Sequence, residues 1–281
     1  MAEDDNVTMG NDQSLSHFAS PTVQVVVGGA DGRPAQTFYL HAALITSRSR
    51  FFAKALRDAK NTGETNDGQP AKSSTSSAQW REGEEGVVKL PFDEPEVFAA
   101  YAQLIYHGTV PDYDGPHELV GDSCEGEERA CDKEIIAASD KMYSILGRLY
   151  VLCEKIQDAV AKPILLVAFV DAAKVLRGNG SNYYPDDPTV TAIYSGTSPS
   201  DPLRKYLVEN YVYFGWSSWI PKAYSDLPHE FLFDVLRAMY REREAPRDTS
   251  ILQDRQYYLD QVNDYQREKD RDREMEMEDG R

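Results

Sequence analysis

The residues that could do metal or redox chemistry are few and widely spaced. The sequence has three cysteines, Cys124, Cys131 and Cys153, and five histidines in 281 residues. No two cysteines form a Cys-x-x-Cys pair, and no histidines cluster with them, so the spacing argues against a zinc site. A small, odd number of cysteines is typical of a reducing compartment. We expect no metal, cofactor or disulfide, and we expect Cys153, which lies in a helical apolar pattern, to be a core residue.

The glycine-rich segment from Gly28 to Pro34 is a second candidate for chemistry, because glycine-rich loops can bind phosphate. It lacks the Gly-Lys-Ser/Thr ending of a P-loop, and no helical pattern follows it directly. A Gly/Asp cluster between two strand patterns predicts a hairpin turn instead. There is also no nucleophile elbow, no His-Glu-x-x-His and no dinucleotide fingerprint. We therefore predict that the protein is not an enzyme. The alternative is an unrecognised site formed by the helices and the loop from Val110 to Cys131, which is rich in Asp, Glu and Gly.

Charge and hydropathy limit the partners. Hydrophobic residues make up 41% of the chain, enough for a core, and the net charge is −17. Such an acidic protein lacks the basic face that duplex nucleic acid requires, although a basic protein partner is compatible with it. The longest apolar run, Ile164 to Val170, is too short to span a bilayer, and the acidic N-terminus is unlike a signal peptide. We expect an intracellular protein, in the cytoplasm or nucleus, that binds neither nucleic acid nor membrane.

The segment from Thr37 to Leu56 changes its hydrophobic period in the middle. Its first part alternates as a strand does, and apolar residues from Phe51 and Phe52 onward recur at helical spacing. Ser47 or Ser49 can cap that helix. Val23 to Val27 is almost continuously β-branched, which predicts a strand buried on both faces or nearly so. Val87 to Leu90 predicts a third, short strand.

Three strings in this sequence resemble the BTB/POZ domain, most closely the form found in many filamentous-fungal proteins. They are Phe38-Tyr39-Leu40-His41 with Phe51-Phe52, then Phe98-x-x-Tyr101-x-x-Leu104-Ile105-Tyr106-x-Gly108, and finally Leu149 to Ile156. Ala42 replaces the usual lysine of the family, and Cys153 replaces the usual alanine. The resemblance covers roughly residues 21–212.

The resemblance implies an α/β (α+β) fold in which a small three-stranded sheet is capped by a cluster of helices, with additional C-terminal helices. It also implies self-association and, in many members, docking onto a cullin scaffold as a ubiquitin-ligase adaptor. Other members are scaffolds that act in transcription without binding a cullin. No Kelch, MATH or DNA-binding motif can be recognised here. The resemblance therefore predicts a protein-interaction module whose partners are a second copy and a cullin.

Composition divides the chain into four regions. We predict a disordered arm at 1–20 and a BTB/POZ-like domain at 21–178 with flexible insertions at 59–78 and 111–131. A helical extension follows at 179–241, and its aromatic segment from Tyr213 to Ile220 is expected to act as a hydrophobic plug. Residues 242–281 form a charged tail with a short amphipathic helix, and we expect the end from Lys269 to Arg281 to fray. Asp93 and Ser200 are the predicted caps of two helices that begin with proline.

Two surfaces are predicted to bind partners. The resemblance implies that the apolar first strand and the Phe51-Phe52 helix form or border a two-fold interface, and the candidate residues of this self-association surface are Val23, Val25, Val27, Phe51 and Phe52. The resemblance places a cullin-type partner at the end of the Phe98 helix and on the following loop. The candidate residues there are Tyr106, His107, Val110 and Tyr113.

Overall fold

The computed structural model of the chain describes residues 17–61, 87–110, 128–220, 227–243 and 255–279. The strands are β1 (Thr22–Val27), β2 (Gln36–His41) and β3 (Val87–Leu90). The helices are α1 (Ala42–Arg48), α2 (Arg50–Asn61), α3 (Pro95–His107), α4 (Glu128–Lys155), α5 (Ala161–Lys174), α6 (Asp187–Gly196), α7 (Pro202–Phe214), α8 (His229–Glu242) and α9 (Arg255–Asp279). The protein is thus of mixed α+β class, and it divides into two compact units, Met1–Ala238 and Met239–Arg281.

Several predicted regions fall partly or wholly outside the described residues. These are the arm up to residue 16, the greater part of both insertions and Tyr113. The insertions are shorter at one end than predicted, because α2 continues to Asn61 and α4 already begins at Glu128. Residues 17–20 of the predicted arm are described, and Ser20 accepts a 3.1 Å hydrogen bond at Oγ from the backbone N–H of Ala43.

The three strands form one mixed sheet in the order β2-β1-β3. β1 pairs antiparallel with β2, with Val25 opposite Phe38, and parallel with β3, with Val25 opposite Val88. The predicted hairpin turn is confirmed between β1 and β2. It begins at Gly28, where φ is 87° and a Cβ would lie 2.5 Å from the carbonyl oxygen of Pro34. This position therefore requires glycine.

The core lies between the helix-facing side of the sheet and α3 and α4. Alternate residues of β1 point into it, so Val23, Val25 and Val27 are buried, whereas Gln24 and Val26 are half-buried. The prediction that β1 is buried on both faces is therefore confirmed only in part. The apolar face of α3 lies in the same core, and its fully buried members are Phe98, Tyr101 and Leu104.

Three helix starts test the predicted caps. Ser49 precedes α2, and its Oγ accepts a 3.2 Å hydrogen bond from the Phe52 amide, which confirms the predicted serine cap. The other two caps were placed one residue too early. Glu94 is the N-cap residue of α3, while Asp93 instead pairs with Lys155. Asp201 caps α7 by accepting from Leu203, because its carboxylate rather than the preceding hydroxyl meets the orphan amides.

Arg204 joins the helices of the C-terminal extension. It lies in α7 and is 4% exposed. Its guanidinium donates to the carbonyl oxygen of Tyr194 in α6 over 2.6 Å and lies 2.9 Å from the Glu230 carboxylate in α8. The same guanidinium lies over the Tyr194 ring, 4.4 Å from its centroid. This arginine therefore positions three helices through one planar, multidentate group.

Helix α9 belongs to the second unit and is longer than expected. The prediction that Lys269 to Arg281 frays is wrong for the described part of that segment, because the helix continues to Asp279. Opposite charges spaced three residues apart support it, as in the 2.9 Å ion pair between Asp264 and Arg267. None of the described helices in the chain is long and apolar enough to cross a membrane.

Candidate partner-binding surfaces

Four of the five predicted self-association residues lie in the core. Val25, Val27 and Phe52 are fully buried, and Val23 is 4% exposed. Only Phe51 is half-buried rather than buried, where it packs edge-on against Phe52 at 5.1 Å. The sequence placed all five on a surface. These residues are buried because β1 is the central strand and its apolar face is already covered by the chain's own helices. These four side chains therefore offer no contact to a second copy.

Tyr106 is the centre of the predicted partner-binding surface. Its hydroxyl oxygen accepts a 3.0 Å hydrogen bond from the backbone N–H of His41 and lies 2.8 Å from Nδ1 of the same histidine. The two rings meet edge to face at 5.8 Å. The end of α3 is thereby tied to the point where β2 passes into α1, and the Tyr106 ring is held in one orientation.

Phe18 completes an aromatic cluster with these two residues. Its ring lies 5.5 Å from the His41 ring and 6.2 Å from the Tyr106 ring, and the residue is 53% exposed. Phe18 was predicted to lie in the disordered arm, and His41 was noted only as part of the first string that resembles the BTB/POZ domain. The sequence did contain one signal that Phe18 contacts the fold: it is a lone aromatic residue at the end of a polar segment, directly before the first strand.

The two other described residues of this surface lie beside Tyr106. His107 is exposed in the last turn of α3, and Val110 is half-buried against the core. Gly108 ends the helix with φ of 73°, and its amide donates to the carbonyl oxygen of Leu104 over 2.8 Å. The structure thus brings together three of the four predicted residues, and the fourth, Tyr113, lies outside the described part of the chain.

A groove of about 150 Å³ lies on another side of α3. Its wall is Phe92, which is 71% exposed. The apolar floor is formed by Val97, Val151, Leu152 and Ala192. Two ion pairs border it, Asp93 with Lys155 at 2.6 Å and Glu94 with Arg148. The rim is therefore charge-balanced, and the volume is that of a single large side chain.

A buried polar cluster lies behind α1 and α2. The Asp158 carboxylate is fully buried and accepts hydrogen bonds from the amides of Val160 and Ala161. Nε of Arg48 lies 3.4 Å from the same carboxylate. Cys153 is nearby, and burial, together with the Asp158 charge, raises the pKa of its thiol well above the usual range. A thiol in this environment stays protonated and is unsuited to nucleophilic chemistry. This cluster therefore holds the fold together.

The aromatic segment near the end of α7 is only partly the plug that the sequence predicted. Trp219 packs against the core, with its ring 5.2 Å from that of Tyr211. The other large side chains of the segment are exposed, namely Tyr213, Phe214, Trp216 and Ile220. Of these five side chains, Trp219 is the one that packs against the core, so the predicted plug is met only in part.

Two further findings bear on function. Among residues 17–61, 87–110, 128–220, 227–243 and 255–279, no group of three or more His, Cys, Asp and Glu side chains could hold a metal ion. A comparison with models of known protein families finds no match, and no curated protein matches the sequence.

Proposed function

We propose that this protein is an interaction module of the BTB/POZ type, which associates with itself and binds a partner through the end of α3. The observation that carries the proposal is the aromatic cluster formed by the exposed Phe18 with the half-buried His41 and Tyr106, beside the exposed His107. It lies where the family resemblance implies a partner-contact surface. The element order also fits that resemblance, since the three strands fall at the predicted positions and helices cap the sheet.

The cluster has the properties of a binding anchor. Aromatic side chains are enriched among the residues that dominate interface energies, and half-exposed rings keep apolar area for a partner. The hydrogen bonds between Tyr106 and His41 hold the ring in place before binding. A preordered anchor loses less conformational entropy on association.

A cullin scaffold is the partner that the proposal names. The test is a titration of the purified protein with a cullin N-terminal domain. Phe18→Ala is the informative variant, because it removes an exposed ring and leaves the Tyr106–His41 hydrogen bonds intact. We expect its affinity to fall about tenfold or more, as for an anchor worth about 1.4 kcal/mol or more. Tyr39→Ala is the matched control, since Tyr39 is 64% exposed on β2.

Failure of the wild-type protein to bind at tens of micromolar would remove the cullin from the proposal. Equal binding by wild type and Phe18→Ala, with Tyr39→Ala weakened, would move the interface to the sheet. In either case the folds of the variants are compared by circular dichroism.

Self-association is the second part of the proposal. It must use side chains other than the four buried ones, and the half-buried Phe51 is the candidate that remains of the predicted surface. Light scattering at micromolar concentration should give the mass of a dimer. A monomer at every concentration tested would contradict this part and leave the binding of other partners unaffected.

A further inference from the structure

We propose that Asn179 is a modification site, at which deamidation releases the loop after α5 from the start of α4. Asn179 is followed by Gly180 in the exposed loop that leads from α5 to α6, and this is the single Asn-Gly pair in the sequence. Asparagine before glycine is the pair most prone to deamidation, because no side chain shields the glycine nitrogen. This modification does not depend on the proposed BTB-type function.

Three hydrogen bonds hold the Asn179 side chain in the folded protein. Its amide nitrogen Nδ2 donates to Oδ1 of Asp132 in α4 over 2.8 Å and to the Tyr183 hydroxyl oxygen over 2.7 Å. Its carbonyl oxygen Oδ1 accepts from the backbone N–H of Ser181 over 3.1 Å. Of the three, the bond to Asp132 joins the loop to α4, and the other two stay within the loop.

Deamidation removes the nitrogen that makes the bond to α4. The Gly180 nitrogen loses its proton to hydroxide and attacks Cγ of Asn179, so that a new N–C bond closes a succinimide ring. The bond between Cγ and Nδ2 breaks, and ammonia leaves. Water then opens the ring at either carbonyl and leaves aspartate or isoaspartate at position 179. Water and hydroxide are the only co-reactants.

The folded loop slows the first step of this reaction. The backbone N–H of Gly180 donates to the carbonyl oxygen of Arg177 over 2.8 Å, so the proton that must leave is held in a hydrogen bond. The Arg177 amide in turn donates to the carbonyl oxygen of Ser181 over 3.0 Å, which closes the loop on itself. The reaction therefore proceeds during brief openings of the loop.

The product does not fit the place that the asparagine occupied. A carboxylate has no hydrogen to donate, so two acceptors of like charge would face each other where Nδ2 now lies 2.8 Å from Asp132. The Tyr183 hydroxyl can turn and donate to the new carboxylate, so that contact survives. Further along α4, Tyr143 still donates to the carbonyl oxygen of Tyr183 over 2.8 Å. The modification therefore loosens the first turns of α4, leaves the rest of the helix attached, and is one-way because the ammonia is lost.

The first test follows the chemistry in the wild-type chain. Native and urea-unfolded protein are incubated in mildly alkaline buffer, and mass spectrometry of the peptide that contains Asn179 separates asparagine, aspartate and isoaspartate. We expect both products in both samples, at a rate in native protein about tenfold or more below that in unfolded protein. Asp132→Ala should raise the native rate severalfold, because it frees Nδ2. Native protein that stays unmodified while the unfolded chain reacts, or a native rate unaffected by Asp132→Ala, would overturn the proposal.

The second test introduces the product directly. In Asn179→Asp, the amides of residues 132–136 should exchange hydrogen about fivefold faster, the factor expected when one hydrogen bond is lost at a surface. Adding Asp132→Asn should restore the wild-type rate, because the amide introduced at position 132 donates to the carboxylate introduced at position 179. Asn263→Asp is the matched control, since it adds the same charge at an exposed residue of α9. Unchanged exchange in Asn179→Asp, or faster exchange that Asp132→Asn does not reverse, would show that α4 is not released.

Discussion

The hydroxyl of Tyr101 donates a 3.1 Å hydrogen bond to Oδ2 of Asp158, and both residues are fully buried. Tyr101 lies in α3, and Asp158 lies in the turn between α4 and α5. The same carboxylate accepts a 2.9 Å hydrogen bond from the amide of Ala161, the first residue of α5, and lies close to Arg48 at the end of α1. One buried carboxylate therefore contacts three helices, α1, α3 and α5, with donors from side chains and backbone. Burial, followed by the Asp158 charge, raises the pKa of Tyr101 far above its usual value, so the phenol stays a donor.

We predict that Tyr101→Phe lowers the free energy of unfolding by about 1–3 kcal/mol, because it removes one donor from a buried carboxylate without creating a large cavity. Asp158→Ala should cost about 3–5 kcal/mol, since it leaves the Arg48 charge without its partner. Urea denaturation of the purified variants measures both. A smaller loss for Asp158→Ala than for Tyr101→Phe would contradict the central role of the carboxylate.

Asp140 gives a prediction about pH. Burial, and then repulsion by Asp186, raises the pKa of the Asp140 carboxyl above its ordinary value of 3.8. The folded protein therefore holds this proton more tightly than the unfolded chain, and stability is lost as pH rises from 3.8 through the raised pKa. Asp140→Asn removes that loss. We expect the variant to melt at a higher temperature than wild type at neutral pH, with the gain disappearing below about pH 3.8.

The control for this prediction is Asp171→Asn, because the Asp171 side chain is 65% exposed. Its melting temperature should change little, and in the same way across the pH range. If Asp140→Asn is no more stable than wild type at neutral pH, then the Asp140 charge is well solvated in the folded protein.

The regular parts of the first unit were predictable because local patterns determine them. A nearly continuous β-branched run marked β1, period-two alternation marked β2, and helical spacing marked α3 from Phe98 to Leu104. The turn that begins at Gly28 was predicted from the Gly/Asp cluster between two strand patterns, since glycine readily adopts the positive φ that other residues avoid. Burial inside a helix also followed from sequence, since Cys153 lies in an apolar helical pattern and is buried.

What was missed depends on long-range contacts. Val23, Val25 and Val27 were assigned to a surface because sequence cannot show that the chain's own helices cover that face of β1. Phe18 was assigned to an arm because its contacts with His41 and Tyr106 join residues far apart in sequence. The Asp158 cluster depends on four elements that meet only in the folded chain, so neither its partners nor its burial could be read from spacing.

The insertion between α2 and β3 yields a third prediction. Residues 62–78 are almost free of apolar side chains in the sequence. Replacing them with a short Gly-Ser linker, while keeping α2 to Asn61, should change the melting temperature by only a few degrees, because closure entropy depends weakly on loop length. Calorimetry of the two proteins is the measurement. A large drop would show that side chains of this insertion pack against the fold.

Cys153 provides the final prediction, which is about reactivity. The thiol is buried in α4, and burial raises its pKa. The thiolate, which is the form that reacts with alkylating reagents, is therefore scarce and inaccessible. In native protein at neutral pH, we expect iodoacetamide to modify Cys153 at least a hundredfold more slowly than it modifies free cysteine under the same conditions. In urea-unfolded protein, Cys153 should react at the ordinary rate of a free cysteine. Mass spectrometry of the proteolytic peptide that contains Cys153 measures the two rates. Cys153→Ala, the smallest apolar replacement, should keep the fold and abolish labelling of that peptide. Rapid labelling of Cys153 in native protein, without loss of circular dichroism, would mean that α4 opens readily at this position, and that the cluster around Asp158 is less stable than its buried hydrogen bonds imply.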